Sequence, residues 1–88
     1  MSNPDEAIRS ALIKYVLGNH ISSFNADNIP LDKSLVELGV LDSFGVVELV
    51  SFIESNWGLQ IMDSEITREK MGSIEKMVRL IHEKTESA

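Results

Sequence analysis

The sequence predicts an all-α domain: three main helices, a short third helix before the last, and a long connection after the first. Two observations predict it. Apolar residues recur at helical spacing in three separate stretches, and each stretch is bracketed by a capping residue before it and a glycine after it or ahead of it. No segment makes a convincing strand.

The first helix opens at Asn3-Pro4. Asn3 is a capping residue, Pro4 suits the first helical position, and Glu6 lies at capping-box distance from Asn3. Ile8, Ala11, Leu12, Tyr15 and Val16 then fall on one face, and Gly18-Asn19 ends the helix. From Gly18 to Leu41 there is no long periodic element. Ile21, Phe24, Ile29, Leu31, Leu35 and Leu38 give this connection apolar anchors to a core, and "SLVELG" has a local helical turn's signature, with Ser34 and Glu37 at capping-box spacing.

The second helix starts at Asp42 or Ser43. Val46, Leu49, Val50, Ile53 and Trp57 share one face, Phe44, Glu48, Ser51 and Ser55 lie mostly opposite, Val47 sits near the boundary, and Gly58 is the stop. "LQI" is then a short extended piece. "DSEITREKM" offers caps at Asp63 or Ser64 and two turns of helix, after which Gly72-Ser73 breaks and recaps the chain. Ile74, Met77, Val78 and Ile81 form the stripe of the last helix, and the final "KTESA", from about residue 84, reads as a frayed tail.

Eighty-eight residues make one domain, 1–88. The chain has no cysteine, which excludes a disulfide framework and a thiolate metal site. Apolar runs are far too short for a membrane span, and the first residues lack a signal peptide's basic and apolar regions, so a soluble, cytoplasmic protein is expected. The net charge of −6 is unevenly placed. Between Asp27 and Glu65 there are eight acids and one base, Lys33, for −7, and the remainder carries +1. Such a block repels nucleic acid and anionic lipid and attracts basic protein surfaces; it is equally what a plain solvated face looks like.

Ser43 falls at a predicted helix N-terminus, where free backbone N–H groups and the helix dipole favour a phosphate. An isolated Asp-Ser pair at such a place is most often only a cap followed by a first-turn residue. Phe44 is harder to assign. Burying a Phe side chain is worth roughly 1.5–3 kcal/mol, so one left outside forgoes stability. It is either part of an apolar docking patch with Val47, rimmed by Glu48 and Glu54, or it folds back under the long connection as core.

A catalytic serine is poorly supported. A nucleophile elbow needs glycine two residues either side of the serine, and those positions hold Leu41 and Gly45. His20 and His82 have no acidic orienting partner placed by the sequence and read as surface or loop residues. No stretch supplies the ligands of an EF-hand, and no metal site is expected. Met62, Ile66 and Met71 are candidates to line a soft groove beside the second helix.

The order of these features resembles the acyl and peptidyl carrier proteins. "LVELGVLDSFGVVELVSFIESNWGLQI" is similar to that family's signature, in which Leu-x-x-Leu-Gly precedes Asp-Ser and an apolar residue, and the likeness runs over nearly the whole chain. The resemblance implies a four-helix acyl-carrier-like bundle. It implies that Ser43, preceded by Asp42, receives 4′-phosphopantetheine from coenzyme A through a separate Mg²⁺-dependent phosphopantetheinyl transferase. The arm's thiol then holds cargo as a thioester, and the carrier itself catalyses nothing. Phe44, Val47, Glu48 and Ser51 match the family's partner-facing positions.

The chain departs from the fatty-acid-synthesis type in two places. That type has Gly-x-Asp-Ser-Leu, whereas Gly39-Val40-Leu41-Asp42-Ser43-Phe44 is one residue longer and ends in Phe. The run "DSEITREKMGSIEKMVRLI" looks closer to stand-alone D-alanyl carriers. The resemblance therefore implies a specialised pathway, with an acyl- or aminoacyl-loading ligase and downstream transferases as partners, and a monomer. The rival from another class is a helical interaction adaptor that uses the same patch without a prosthetic group.

Overall fold

The computed structural model describes residues 4–19 and 24–87. Asn3, His20 and Ile21 lie outside that range. The described residues form four α-helices, α1 (Pro4–Asn19), α2 (Ser43–Trp57), α3 (Arg68–Met71) and α4 (Ile74–Ser87), with a 3₁₀ turn at Asp63–Glu65. There is no strand among the described residues.

The core follows from the two outer stripes. Ile8, Leu12 and Val16, spaced by four, are buried along α1, and Ile74, Met77, Val78 and Ile81 are buried along α4, joined by Leu80. α1 packs chiefly on α4. Each fully buried side chain of this size contributes roughly 1.5–3 kcal/mol. Polar ties cross the same seam: Arg9 Nε donates to Glu75 Oε1 at 2.5 Å, and its Nη2 donates to Oε2 at 3.2 Å, a two-point pair. α2 adds Leu49, Val50 and Ile53 to the core. Its Phe52 stacks on Tyr15 of α1 with ring centroids 4.2 Å apart and meets Trp57 edge-on at 5.8 Å.

The long connection is held by its own hydrogen bonds and by apolar anchors. Asn25 Oδ1 accepts from Asp27 N–H (2.9 Å) and Asn28 N–H (3.1 Å), while Asn28 Oδ1 accepts from Asn25 N–H (2.7 Å). Ile29 and Leu35 are buried; Phe24, Leu31 and Leu38 pack partly against the core. Leu35 N–H donates to Gly72 O (3.0 Å) and Glu75 N–H to Leu31 O (3.0 Å), which fastens the loop to the start of α4. "SLVELG" forms a hydrogen-bonded turn: Ser34 Oγ accepts from Glu37 N–H (3.3 Å), Leu38 N–H reaches Ser34 O (3.0 Å), and Gly39 closes it at φ 76°, which glycine adopts without steric cost.

The structure departs from the sequence-based expectation between Asp63 and Met71. "DSEITREKM" is not a two-turn helix capped at Asp63 or Ser64. It makes the 3₁₀ turn Asp63–Glu65, then the single-turn α3 capped by Thr67, whose side chain accepts from Lys70 N–H. The Glu65 carboxylate folds back onto Met62 N–H (2.9 Å) and is paired with Lys84 Nζ (2.7 Å), which closes the first turn separately. At the other end, α4 runs to Ser87. Lys84 is anchored by that pair with Glu65, and Thr85 Oγ1 donates to His82 O at 3.0 Å.

Candidate functional site: Ser43 and the outer face of α2

Two anchors place Ser43. Val40 N–H (2.9 Å) and Leu41 N–H (3.2 Å) both donate to Leu35 O, and Val40 and Leu41 are buried, so the chain enters α2 from a fixed point. Asp42 then takes an extended conformation (φ −108°, ψ −176°) and its Oδ1 accepts from Gly45 N–H at 2.7 Å. Asp42 is thus the N-cap, and Ser43 is the first residue of the helix, exposed to solvent. The cap and the accessible hydroxyl coexist. At its other end α2 stops at Gly58, in the left-handed region at φ 62°, whose N–H returns to Glu54 O.

Phe44 is 74% exposed and Val47 is 65% exposed. Neither is core. With Glu48 and Ser51, also exposed, they form an apolar strip with an acidic neighbour on the face opposite Leu49, Val50 and Ile53. Glu54 does not join this strip as a free rim charge. It is half-buried, and its Oε2 accepts from Ile61 N–H (2.9 Å), closing the bend after α2. Glu48 acts inward as well: burial pushes the Tyr15 phenol up, and the Glu48 charge adds to that shift.

Beside Ser43 lies a cavity of about 280 Å³ between the turn at Ser34–Glu37, α2 and α3. Leu41, Val46 and Leu49 form one wall, and Ile66 and Met71 form the other. Leu41 and Val46 flank Ser43 in sequence. Met62, expected with Ile66 and Met71, is exposed and outside the lining, because the 3₁₀ turn carries it away. Val46 and Leu49 read as plain core residues from periodicity; no local signal marks them as cavity wall.

His82 has acidic partners after all. Its Nδ1 is 2.6 Å from Asp5 Oδ1 of α1, and its Nε2 is 3.1 Å from Glu86 Oε1. The hydrogen bond with Asp5, followed by the charges of Asp5 and Glu86, holds the imidazole pKa above its usual value. These contacts belong to the α1–α4 seam. The Glu65 carboxyl lies below the usual carboxylate range, through its hydrogen bonds with Lys84 and Met62 N–H. No group of three His, Asp or Glu side chains suited to a metal ion occurs among the described residues. No helix there is long and apolar enough to cross a membrane.

The fold matches the crystal structure of an acyl carrier protein from Thermotoga maritima, with a TM-score of 0.73 and 21% identity, over 96% of this chain and 93% of that one. It also matches a chain in the crystal structure of an FAD-dependent dehydrogenase, with a TM-score of 0.63 and 27% identity, over 84% of this chain and 97% of that one. No protein-family model matches the sequence. D-alanyl carrier proteins of several Streptococcus pyogenes serotypes are 36% identical over 53 residues, which is 60% of this chain and 67% of each relative. The chain belongs to the carrier-protein family of acyl and peptidyl carriers, and its similarity lies with the D-alanyl type.

Proposed function

We propose that this protein is a non-catalytic, cytoplasmic carrier that takes 4′-phosphopantetheine on Ser43 and presents a thioester-bound cargo to the enzymes of a specialised pathway. The observation that carries this reading is the exposed Ser43 hydroxyl at the capped start of α2, beside the exposed side chains of Phe44 and Val47. A phosphodiester at that position adjoins the positive end of the helix dipole. Asp42 spends its carboxylate on Gly45 N–H, so it orients the first turn.

In the loading step the Ser43 oxygen bonds to the pantetheine-bearing phosphorus of coenzyme A. The pyrophosphate bond breaks, the serine proton passes to a base of the transferase, and adenosine bisphosphate leaves. Once attached, the group supplies a flexible arm ending in a thiol, the nucleophile that a chain without cysteine lacks. The D-alanyl carrier relatives support an aminoacyl-loading ligase and a downstream transferase as partners. Phe44, Val47, Glu48 and Ser51 form the surface offered to them, and the acidic block draws in basic faces. Ile66 and Met71 form the wall of a cargo groove beside the arm.

The test is intact-mass spectrometry after incubation with coenzyme A and a broad-specificity phosphopantetheinyl transferase. The expected result is one phosphopantetheinyl addition to the unmutated protein and none to Ser43→Ala. An unchanged mass for the unmutated protein overturns the reading and favours an unmodified adaptor.

A further inference from the structure

Among the described residues, the large apolar side chains left in solvent are Val36, Phe44, Val47, Met62 and Ile66; α1 and α4 leave none of this kind. Met62 is 56% exposed, yet its backbone is held from two sides. Its N–H donates to Glu65 Oε1 at 2.9 Å, and Glu65 N–H returns to Met62 O at 2.8 Å. Ile61 next to it is buried and donates its N–H to Glu54 Oε2 at 2.9 Å. The same Glu65 Oε1 meets Lys84 Nζ, from near the end of α4, at 2.7 Å. The two side chains are 17% and 21% exposed, which makes this the most enclosed ion pair among the described residues. Such a pair adds little net stability, because desolvation offsets most of the attraction; what it can fix is geometry.

We propose that Met62 is a contact for the phosphopantetheinyl transferase that acts on Ser43, and that Lys84 is the positioning residue that holds it there through Glu65. This rests on the reading of Ser43 as the arm's attachment site. The segment after α2 returns alongside that helix, since Ile66 and Val46 line one cavity, so Met62 adds an apolar side chain on the flank of α2. An unbranched, polarizable thioether fits apolar recesses of varied shape, and an apolar recess is what the transferase must offer it. With the pair intact, that recess meets a residue whose backbone is already ordered, so binding avoids the entropy cost of ordering it. Without the Lys84 ammonium, the Glu65 carboxylate is enclosed without its counter-charge. It then turns to water and releases Met62 N–H.

The experiment measures steady-state loading of the full chain by a broad-specificity phosphopantetheinyl transferase with coenzyme A, at varied carrier concentration. If the unmutated protein is not loaded, the Ser43 reading fails and this inference falls with it; if it is loaded, the variants test Met62 and Lys84 alone. Met62→Gln is expected to raise the KM for the carrier about three- to tenfold at unchanged kcat, the size of one apolar anchor in an interface. Lys84→Met keeps the aliphatic stem and loses the ammonium, and is expected to raise KM about two- to fivefold, the scale of ordering one side chain and its segment. Lys84→Arg is expected to keep the unmutated KM. Glu65→Ala breaks the same pair from its other end and is expected to match Lys84→Met, which keeps the test open if Lys84→Met melts below the assay temperature. Adding Lys84→Met to Met62→Gln is expected to raise KM no further, because the contact that Lys84 serves is already gone. An unchanged KM for Met62→Gln removes Met62 from the interface, and additive rises in the double variant make Lys84 act elsewhere. Either result overturns the proposal, as does an unchanged KM for both folded pair-breaking variants.

Discussion

Along the α1–α4 seam the principal apolar stripes are buried and two charged pairs, Arg9–Glu75 and Asp5–His82, cross between the helices. On α2 the inner face is equally buried, yet Phe44 and Val47 on its outer face stand in solvent. One region spends its apolar residues on cohesion, and the other leaves some of them unburied beside Ser43. The fold carries that loss because the seam and the inner face of α2 supply the stability. A recognition surface of this kind is placed where it is not needed for packing.

The sharpest way to break this contrast is to truncate one apolar residue from each region. Leu12→Ala, within the seam and fully buried, is expected to cost about 2–5 kcal/mol in urea unfolding. Phe44→Ser is expected to stay within about 0.5 kcal/mol of the unmutated protein while slowing transfer to partner enzymes. Similar losses of stability at both positions abolish the distinction.

A smaller effect is expected at the join between the two roles of α2. Asp42→Ala removes the acceptor for Gly45 N–H and is expected to cost about 0.5–2 kcal/mol, whereas Asp42→Asn, an equally good cap, retains most of that stability. Thermal melts measure both. If Asp42→Asn is as damaging as Asp42→Ala, the carboxylate charge matters more than the cap.

The smallest effect concerns the seam's response to pH. Asp5, and then Glu86, raise the folded-state pKa of His82 above its ordinary 6.5. A raised pKa means that the protonated imidazole stabilises the fold fully below the unfolded value, and that this contribution fades as pH rises through the folded value. The Tm advantage of the unmutated protein over His82→Gln is therefore expected to be larger near pH 6 than near pH 8.5, on either side of the histidine range. A difference that does not change with pH assigns His82 a packing role alone.

The long helices were legible from the sequence because their signals are local. The spacing of Ile8, Leu12 and Val16, the stripe from Ile74 to Ile81, Asp42 before Ser43, and Gly58 after Trp57 each act within a few residues. The middle of the chain was harder to read. Asp63, Ser64 and Thr67 are all good caps within one short stretch; Thr67 caps α3, while Glu65 is held by Lys84 from the far end of the chain. Glu54 looked like a rim charge because its partner, Ile61 N–H, is presented only after the bend that follows α2. Of the two acidic partners of His82, Asp5 is 77 residues away in sequence and was invisible locally, whereas Glu86, one helical turn on, was a local signal left unread.

The amino-acid sequence alone thus determined the three long helices, the caps of the second at Asp42 and Gly58, the acidic block and the signature around Ser43. These depend on backbone propensities and on a 3.6-residue period that any short window contains. Only the tertiary structure decided that Phe44 faces solvent, that Ile66 and Met71 share a cavity from which Met62 is absent, and that Glu37 meets Arg68 across it. Exposure and pairing depend on which faces of distant segments meet, and the burial of the seam selects that arrangement.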